Sequence, residues 1–579
     1  MNQVFIDARG SSVARPMTAD SSRLFRRAVP VLIGLLLLAR LIGMAVVPLM
    51  DTTEARYGET GRIMADLNDW ITPWFDYGVP FWGKPPLAFW VTAASFKAFG
   101  VSEFTARLPH LAISVFIVGL AAWLAARRDR DAALPTVALM TGSFLYFISA
   151  AVVMIDIELI LGTTLAMAGF WLALEAPDSL STGGVAIHSR AIAGSLFFGG
   201  IILGLLAKGP IALVMAGIPT LCWTAYNRRW LDVWRRLPWL AGIALTLLLA
   251  LPWYGIAEHR TPGFLEYFLV GEHWHRYLTP GWTGDRYGNP HYFPIGTIWG
   301  FAVVDTLPWS LLLPFAAWGW RKEIKASAQA IMGKAANGVA AGPGLAANKA
   351  DGAVGAAGFI GSDVRVWQGY LLIWALTPLL FFTLARNIML PYVLPGLPAA
   401  AILAGGWLAR RRRQGFQTDR WLASGLLITL VVMCGLALQN LSQPDKMEYK
   451  SVKAMLAVYD HARAQRMRVP AANSPGSELT LSDAPLFFIW ARPFSAQFYS
   501  RGQAIKVATE DEVLRRIGAG AAHVATPSGD ALIASVAKQG RTGEAPSTAS
   551  AANGVSAPLR RVARIGRYGD FDLMFAAAR

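Results

Sequence analysis

Apolar runs of about 17–25 residues recur along this chain, each long enough to cross the hydrocarbon core of a bilayer as a helix. Nothing else in the sequence limits the fold so strongly, because a backbone in hydrocarbon must satisfy its own N–H and C=O groups. Composition agrees: of 579 residues, 54% are hydrophobic and only 16% charged, with a mean hydropathy of +0.40. A water-soluble protein of this length would carry more charge. The chain reads as an α-helical polytopic membrane protein. Its formal net charge of +16 would suggest nucleic acid in a soluble protein. Here much of the excess sits in short loops between spans, where retention of positive loops on the cytoplasmic side explains it. No basic-aromatic module points to nucleic acid. Cys222 and Cys434 both fall inside apolar runs, so no disulfide framework is implied.

Arg23, Arg26 and Arg27 precede a first span at 28–48, which reads as retained because no small-x-small cleavage site follows it. Further spans fall at 105–126, 133–150, 157–175, 192–206, 210–226 and 238–257. After a long loop come one ending at Arg321-Lys322 and others at 367–384, 391–409 and 421–439. The expected total is about 11–13. Arginine clusters at 127–130, 228–229, 235–236, 321–322 and 410–413 all fall on the side of the N-terminus. That side is therefore cytoplasmic, and the loops at 49–104 and 258–294 face the opposite compartment.

Three stretches differ from the spans. Residues 1–27 read as a cytoplasmic tail, and the Ala/Gly-rich stretch 323–364 as a flexible cytoplasmic loop. From about 441 to 579 the composition is mixed. Strands are predicted at 479–481, 485–490 and 571–575, and helices at 510–517 and 530–538, interrupted by a Gly/Ser/Ala-rich insert near 540–557. A small external α/β domain follows from these, beyond a transmembrane domain spanning 28–440.

The densest polar motifs lie at the outer ends of spans. Asp51 and Glu54 open the first external loop, followed by Arg56, Tyr57 and Glu59. The pattern from Thr53 to Leu67 predicts a short interfacial amphipathic helix with Thr52 or Thr53 as N-cap. An acid at a span mouth is costly to keep unless it is paired or used, which makes Asp51 the favoured general base and Glu54 the second candidate. Lys84 sits before Pro85 and Pro86, whose rings fix the backbone at the water–lipid boundary, a natural place to hold a lipid phosphate. Asp156 and Glu158 open one span at its outer mouth, and Lys208 ends another. Glu258-His259-Arg260 and Glu272-His273-Trp274-His275-Arg276 gather titratable groups in one loop, and Arg386 and Tyr392 follow a later span. The His-x-His spacing is too weak to assign a metal site.

In their order, DTTEARYGETGRIM, FWGKPPLAFW, LLAKGPIAL, LPWYGIAEHRTPGFLEYF, EHWHRY and the stretch from Arg386 to Tyr392-Val393-Leu394-Pro395 resemble a known family. These motifs look like the bacterial relatives of the protein O-mannosyltransferases, above all the branch that transfers aminoarabinose to lipid A. The likeness covers about 28–410. It implies a C-type glycosyltransferase fold that takes a sugar from a polyprenyl (undecaprenyl) phosphate and passes it to an envelope acceptor. The implied setting is the periplasmic face of the bacterial inner membrane. Carried over by motif, Lys84 matches the lysine that holds the donor phosphate, with Arg56 and Tyr57 from the first-loop motif. Lys208, His273, Arg276 and Tyr392 match further polar positions around the cavity. The chain departs from the family at Thr53, where Asp is frequent, and at Gly83, where the aminoarabinose branch carries Glu before its lysine. The latter removes a carboxylate that a metal site would use, so a divalent metal is left open but unsupported, and the lipid-linked sugar donor is the one small molecule implied.

Displacement at an anomeric carbon needs a carboxylate to deprotonate or orient the acceptor, and cations to stabilise the leaving phosphate. With a single acid near the acceptor, inversion is expected. Arg260, Arg276 and Arg286 are placed to steer an anionic acceptor. The expected acceptor is lipid A, with another envelope glycan or lipid, or a protein, as alternatives. A flippase for the lipid-linked sugar is the rival class, but no inverted repeat supports it.

Overall fold

The computed structural model describes residues 19–175, 184–288, 291–319, 321, 364–443, 447–465, 468–470, 478–480, 484–517, 521–541 and 561–577. The expected loop at 323–364, all but its last residue, and nearly all of the insert at 540–557 lie outside them. The expected tail at 1–27 is shorter than read, because the first helix (Ala19–Val46) already contains Arg23, Arg26 and Arg27.

Eight helices among the described residues are long and apolar enough to cross a membrane. The pair Thr297–Asp305 and Trp309–Phe315, bent by 83° at its break, makes a ninth if it is counted as one span. Ile211–Asn227 is a shorter apolar helix of 17 residues. The expected span at 133–150 is two helices, Ala133–Thr141 and Phe144–Ser149. Its break has a packing cause. A Cβ on Gly142 would stand 2.5 Å from the Trp309 ring, and the Phe144 N–H donates to Leu307 O at 2.9 Å. The bent pair thus docks into the gap and satisfies the backbone freed there. The eight or nine crossings among the described residues fall below the 11–13 expected, because the runs at 133–150 and 210–226 form broken or shorter helices.

Asp156–Glu175 lies at the middle of the bundle: 89% of its apolar window is buried, against 17% for Leu24–Val46 at the lipid face. It runs against Gly184–Lys208 along a seam of glycines. A Cβ on Gly162 would lie 2.6 Å from Gly200 O, and one on Gly200 2.4 Å from Gly162 O. In hydrocarbon, small residues let helix backbones approach in this way and so supply the packing that drives association. Because the two helices run in opposite directions, the start of one (Asp156) meets the end of the other (Lys208).

Ion pairs sort to the two ends of the bundle. At one end Arg128 meets Glu175 at 2.6 Å, Arg413 meets Asp129 at 2.7 Å and Arg412 meets Asp131 at 2.5 Å. The opposite end carries the first loop, whose Thr53–Leu67 helix has the expected bounds. It is not a half-solvated interfacial helix, since Glu54 through Ala65 are buried except Arg56. Thr52 is its N-cap but makes no side-chain cap bond. An apolar helix that the sequence did not announce, Leu87–Phe99, packs beside it.

The C-terminal region holds a five-stranded sheet in the order Ile505–Val507, Leu486–Ile489, Ala521–Thr526, Phe571–Ala577, Arg561–Tyr568. The first three strands are parallel and the last two antiparallel to their neighbours. Helices Glu510–Ile517 and Gly529–Arg541 pack on it through Val513, Leu532 and Val536, as their amphipathic patterns predict. This domain is seated on the first-loop end. The Leu49 N–H donates to the Tyr499 hydroxyl at 2.8 Å, Tyr499 donates to Glu103 at 3.1 Å, and Arg492 pairs with Asp76.

Candidate active site

A cavity of about 410 Å³ opens at the first-loop end, between the 266–278 segment, the outer ends of the spans and the turn at Leu390–Gly396. Its polar end is built from Lys84, Lys208, Glu272, His273, Arg276 and Tyr392. Its body is apolar, from Val214, Met215, Leu269, Phe381 and Phe382.

Glu272 organises the polar end. One oxygen accepts from Lys84 Nζ at 2.7 Å and Arg276 Nη1 at 2.9 Å, and the other accepts from the Tyr267 hydroxyl at 3.1 Å. Arg276 also reaches Asp285 at 3.4 Å. The segment Glu266–His275 is wound as a π-helix, a form that recurs at functional sites. Burial would raise the Glu272 carboxyl, but Lys84 and Arg276 overcome that and bring it down to about 2. Its folded value is thus depressed below the ordinary 4.5. The associated stability is fully present above about pH 4.5 and is lost as pH falls through about 2. Comparing the thermal unfolding of wild type and Glu272→Gln should show a gap of about 3 kcal/mol near neutrality. That gap should shrink steadily below about pH 5, and one that stays constant down to pH 3 would contradict the assignment.

Lys208 Nζ bonds to Asp156 Oδ1 at 2.5 Å and lies 4.5 Å from the centre of the Tyr392 ring. Asp156 sits behind the cavity-lining Lys208 and one turn before the cavity-lining Leu159, and its second oxygen has no hydrogen-bond donor among the described residues. The glycine after Lys208 is required. Gly209 has φ +78°, and a Cβ there would stand 2.6 Å from the Phe268 ring. His273 packs on that ring at 4.7 Å between centroids. Burial lowers its pKa, which keeps it neutral, with Nδ1–H donating to Phe268 O at 2.7 Å.

The other expected residues fall elsewhere. Tyr57 is buried at the edge of the site, close enough for Asp156, Glu272 and Lys208 to act on its hydroxyl. Arg56 does not line the cavity. It donates to Tyr287 O and packs on Tyr57, Phe81 and Phe494. Arg386 binds the Tyr292 hydroxyl at 2.9 Å, and its neighbour Asn387 lines the cavity instead. Glu158 points away from Asp156 and takes His110 Nδ1 at 2.7 Å.

Both favoured general bases are engaged in architecture, and neither lines the cavity. Asp51 accepts from the Ser495 N–H at 3.0 Å and from its hydroxyl, tying the first loop to the C-terminal domain. Burial raises its pKa and the Ser495 bonds hold it down. Glu54 forms a two-point pair with Arg107, at 2.7 and 2.8 Å. Arg107 in turn donates to Met44 O, Val47 O and Pro48 O. Removing one member of a buried pair strands the other, so Glu54→Gln should cost about 3–5 kcal/mol of stability. Thermal unfolding in detergent would check this, and an unchanged midpoint would contradict it.

The acid that lines the cavity is Glu272, which stood in a recognised motif without an assigned role; Asp285, for which no local pattern gave a signal, stands behind it on Arg276. No group of three or more His, Cys, Asp or Glu able to hold a metal occurs among the described residues. Gly83 leaves no space for a longer side chain: a Cβ there would stand 2.9 Å from the Phe81 ring.

Residues 35–268 match the family model described as dolichyl-phosphate-mannose-protein mannosyltransferase. The chain is 28% identical over 404 residues to the undecaprenyl phosphate-alpha-4-amino-4-deoxy-L-arabinose arabinosyl transferase of Edwardsiella ictaluri, covering 67% of this chain and 60% of the relative. It is 30% identical over 404 residues to the transferase of the same name from Aeromonas hydrophila, covering 67% and 62%. The match thus spans about three fifths of these relatives' length. In fold, it is similar to ArnT from Cupriavidus metallidurans bound to undecaprenyl phosphate. The TM-score is 0.63 at 17% identity, covering 95% of this chain and 97% of that one. The order of motifs, the helical bundle with its C-terminal sheet, and these relatives agree: residues 35–268 carry the domain described for protein mannosyltransferases, and the chain is similar well beyond it to transferases named for undecaprenyl phosphate aminoarabinose.

Proposed function

We propose that this protein transfers a sugar from undecaprenyl phosphate to lipid A on the periplasmic face of the bacterial inner membrane. The observation that carries this is the division of one cavity into a cationic end and an apolar body. A lipid-linked phosphate is an anion on a hydrocarbon tail and matches both parts. The relatives are named for an undecaprenyl phosphate donor, which supports the same reading.

In this reading Lys84 and Arg276 hold the donor phosphate. An acceptor oxygen forms a bond to the anomeric carbon while the bond from that carbon to the phosphate oxygen breaks. The electron pair leaves with the phosphate, where the two cations and Lys208 stabilise it. Asp156 replaces Asp51 and Glu54 as the acid beside the acceptor, taking its proton where the acceptor is a hydroxyl and orienting it where it is a phosphate. The gathering of arginines at the other end of the bundle supports a periplasmic cavity, since positive loops are retained on the cytoplasmic side.

Mass spectrometry of lipid A, capsular glycan and envelope proteins from a deletion strain tests the acceptor. Lipid A is expected to lose the mass of the transferred sugar. Unchanged lipid A, with a sugar missing from a protein instead, would overturn this assignment.

A further inference from the structure

A second cavity lies beside the first helix, between Ala19–Val46, Glu103–Arg128 and the broken pair at 133–149. It is about 170 Å³ and lined by apolar groups such as Leu36, Leu37, Val115 and Val118. It shares no lining residue with the catalytic cavity. Its one charged lining residue is Arg40, six residues and so about 9 Å of helix from Val46.

Arg40 is incompletely satisfied. Nη2 donates to Ile148 O at 2.6 Å, whereas Nε is buried and meets no acceptor. Its charged neighbours are Arg107 and Glu54. Both Glu54 oxygens are already taken by Arg107, so the three groups together keep one positive charge. A lone cation inside a span is costly, and its counter-charge must come from outside the protein. The walls offer no rival polar ligand: the Ser114 hydroxyl donates to Ala150 O at 3.1 Å, and the Tyr146 hydroxyl to Ser114 O at 2.8 Å.

We infer that this groove holds a resident anionic glycerophospholipid of the outer leaflet, its phosphate on Arg40 and an acyl chain along Leu36, Leu37, Val115 and Val118. Charge complementarity selects an anionic headgroup, and the sideways opening toward lipid admits the chain. Separation from the catalytic cavity marks the lipid as structural and not as substrate.

Native mass spectrometry of the full-length protein, titrated with phosphatidylglycerol or phosphatidylcholine, tests this directly. Wild type should retain one phosphatidylglycerol in preference to phosphatidylcholine. Arg40→Gln should weaken that binding roughly five- to tenfold, the loss expected for one basic contact to an anionic lipid. Val115→Trp, at a lipid-exposed position, fills the groove without touching Arg40 and should weaken it as well, so the test survives if Arg40→Gln does not fold. Equal binding of the two lipids would overturn the inference. So would unchanged phosphatidylglycerol affinity in Val115→Trp, or displacement of the lipid by undecaprenyl phosphate at this groove. None of these readouts depends on glycosyl transfer.

Discussion

Lys84→Ala is expected to lower sugar transfer by about 10²–10³-fold, the usual loss when one donor to a developing anion is removed. The ammonium stands at the polar end of the cavity, 2.7 Å from Glu272. No neighbouring cation can move into its place, because Arg276 is already committed to Glu272 and Asp285. The fold should survive. Glu272 keeps Arg276 and Tyr267 as partners, and the loop remains pinned where the Trp82 N–H donates to the Tyr287 hydroxyl at 3.0 Å. Lys84→Arg should recover only part of the rate, since a planar guanidinium cannot occupy the site of a compact ammonium. Turnover and donor affinity measured with the unfolding midpoint separate these effects. Near-normal turnover in a folded Lys84→Ala protein would contradict the phosphate assignment.

Asp156→Asn is expected to cost about 10²–10⁴-fold in turnover, the range for loss of a general base. Asn keeps the shape and can still accept a hydrogen bond from Lys208, so the change falls on charge and proton affinity. Glu54→Gln should show the opposite profile: a lower unfolding midpoint, with turnover retained in the molecules that remain folded. If Asp156→Asn keeps its turnover while Glu54→Gln loses it without loss of stability, the roles of the two acids must be exchanged.

That contrast marks where the sequence was legible. Most spans could be read because apolar length is a local property. The Thr53–Leu67 helix, and three strands and two helices of the C-terminal domain, were legible for the same reason, as periodic patterns a few residues long; the strands Ile505–Val507, Ala521–Thr526 and Arg561–Tyr568 were not. Lys84, Lys208, His273, Arg276 and Tyr392, expected from the motifs, do converge on one cavity. The acids were misplaced because their neutralising partners are distant in sequence: Glu54 is held by an arginine 53 positions on, and Asp51 by a serine 444 positions on. An acid at a span mouth is costly unless paired, but the pairing is a tertiary fact. The break at Gly142 and the 83° bend before Trp309 were hidden for a related reason. Each exists to accommodate the other, and neither has a local signal stronger than a lone Gly or Pro.

The central claim is that the cationic cavity breaks the bond between sugar and polyprenyl phosphate. Its most direct test is purified protein in proteoliposomes, with a radiolabelled undecaprenyl-phosphate sugar and lipid A on the same face. Label should appear on lipid A with one undecaprenyl phosphate released per sugar moved, and Lys84→Ala should lower both by the same factor. Intact donor crossing to the other leaflet, with no undecaprenyl phosphate released, would contradict the account.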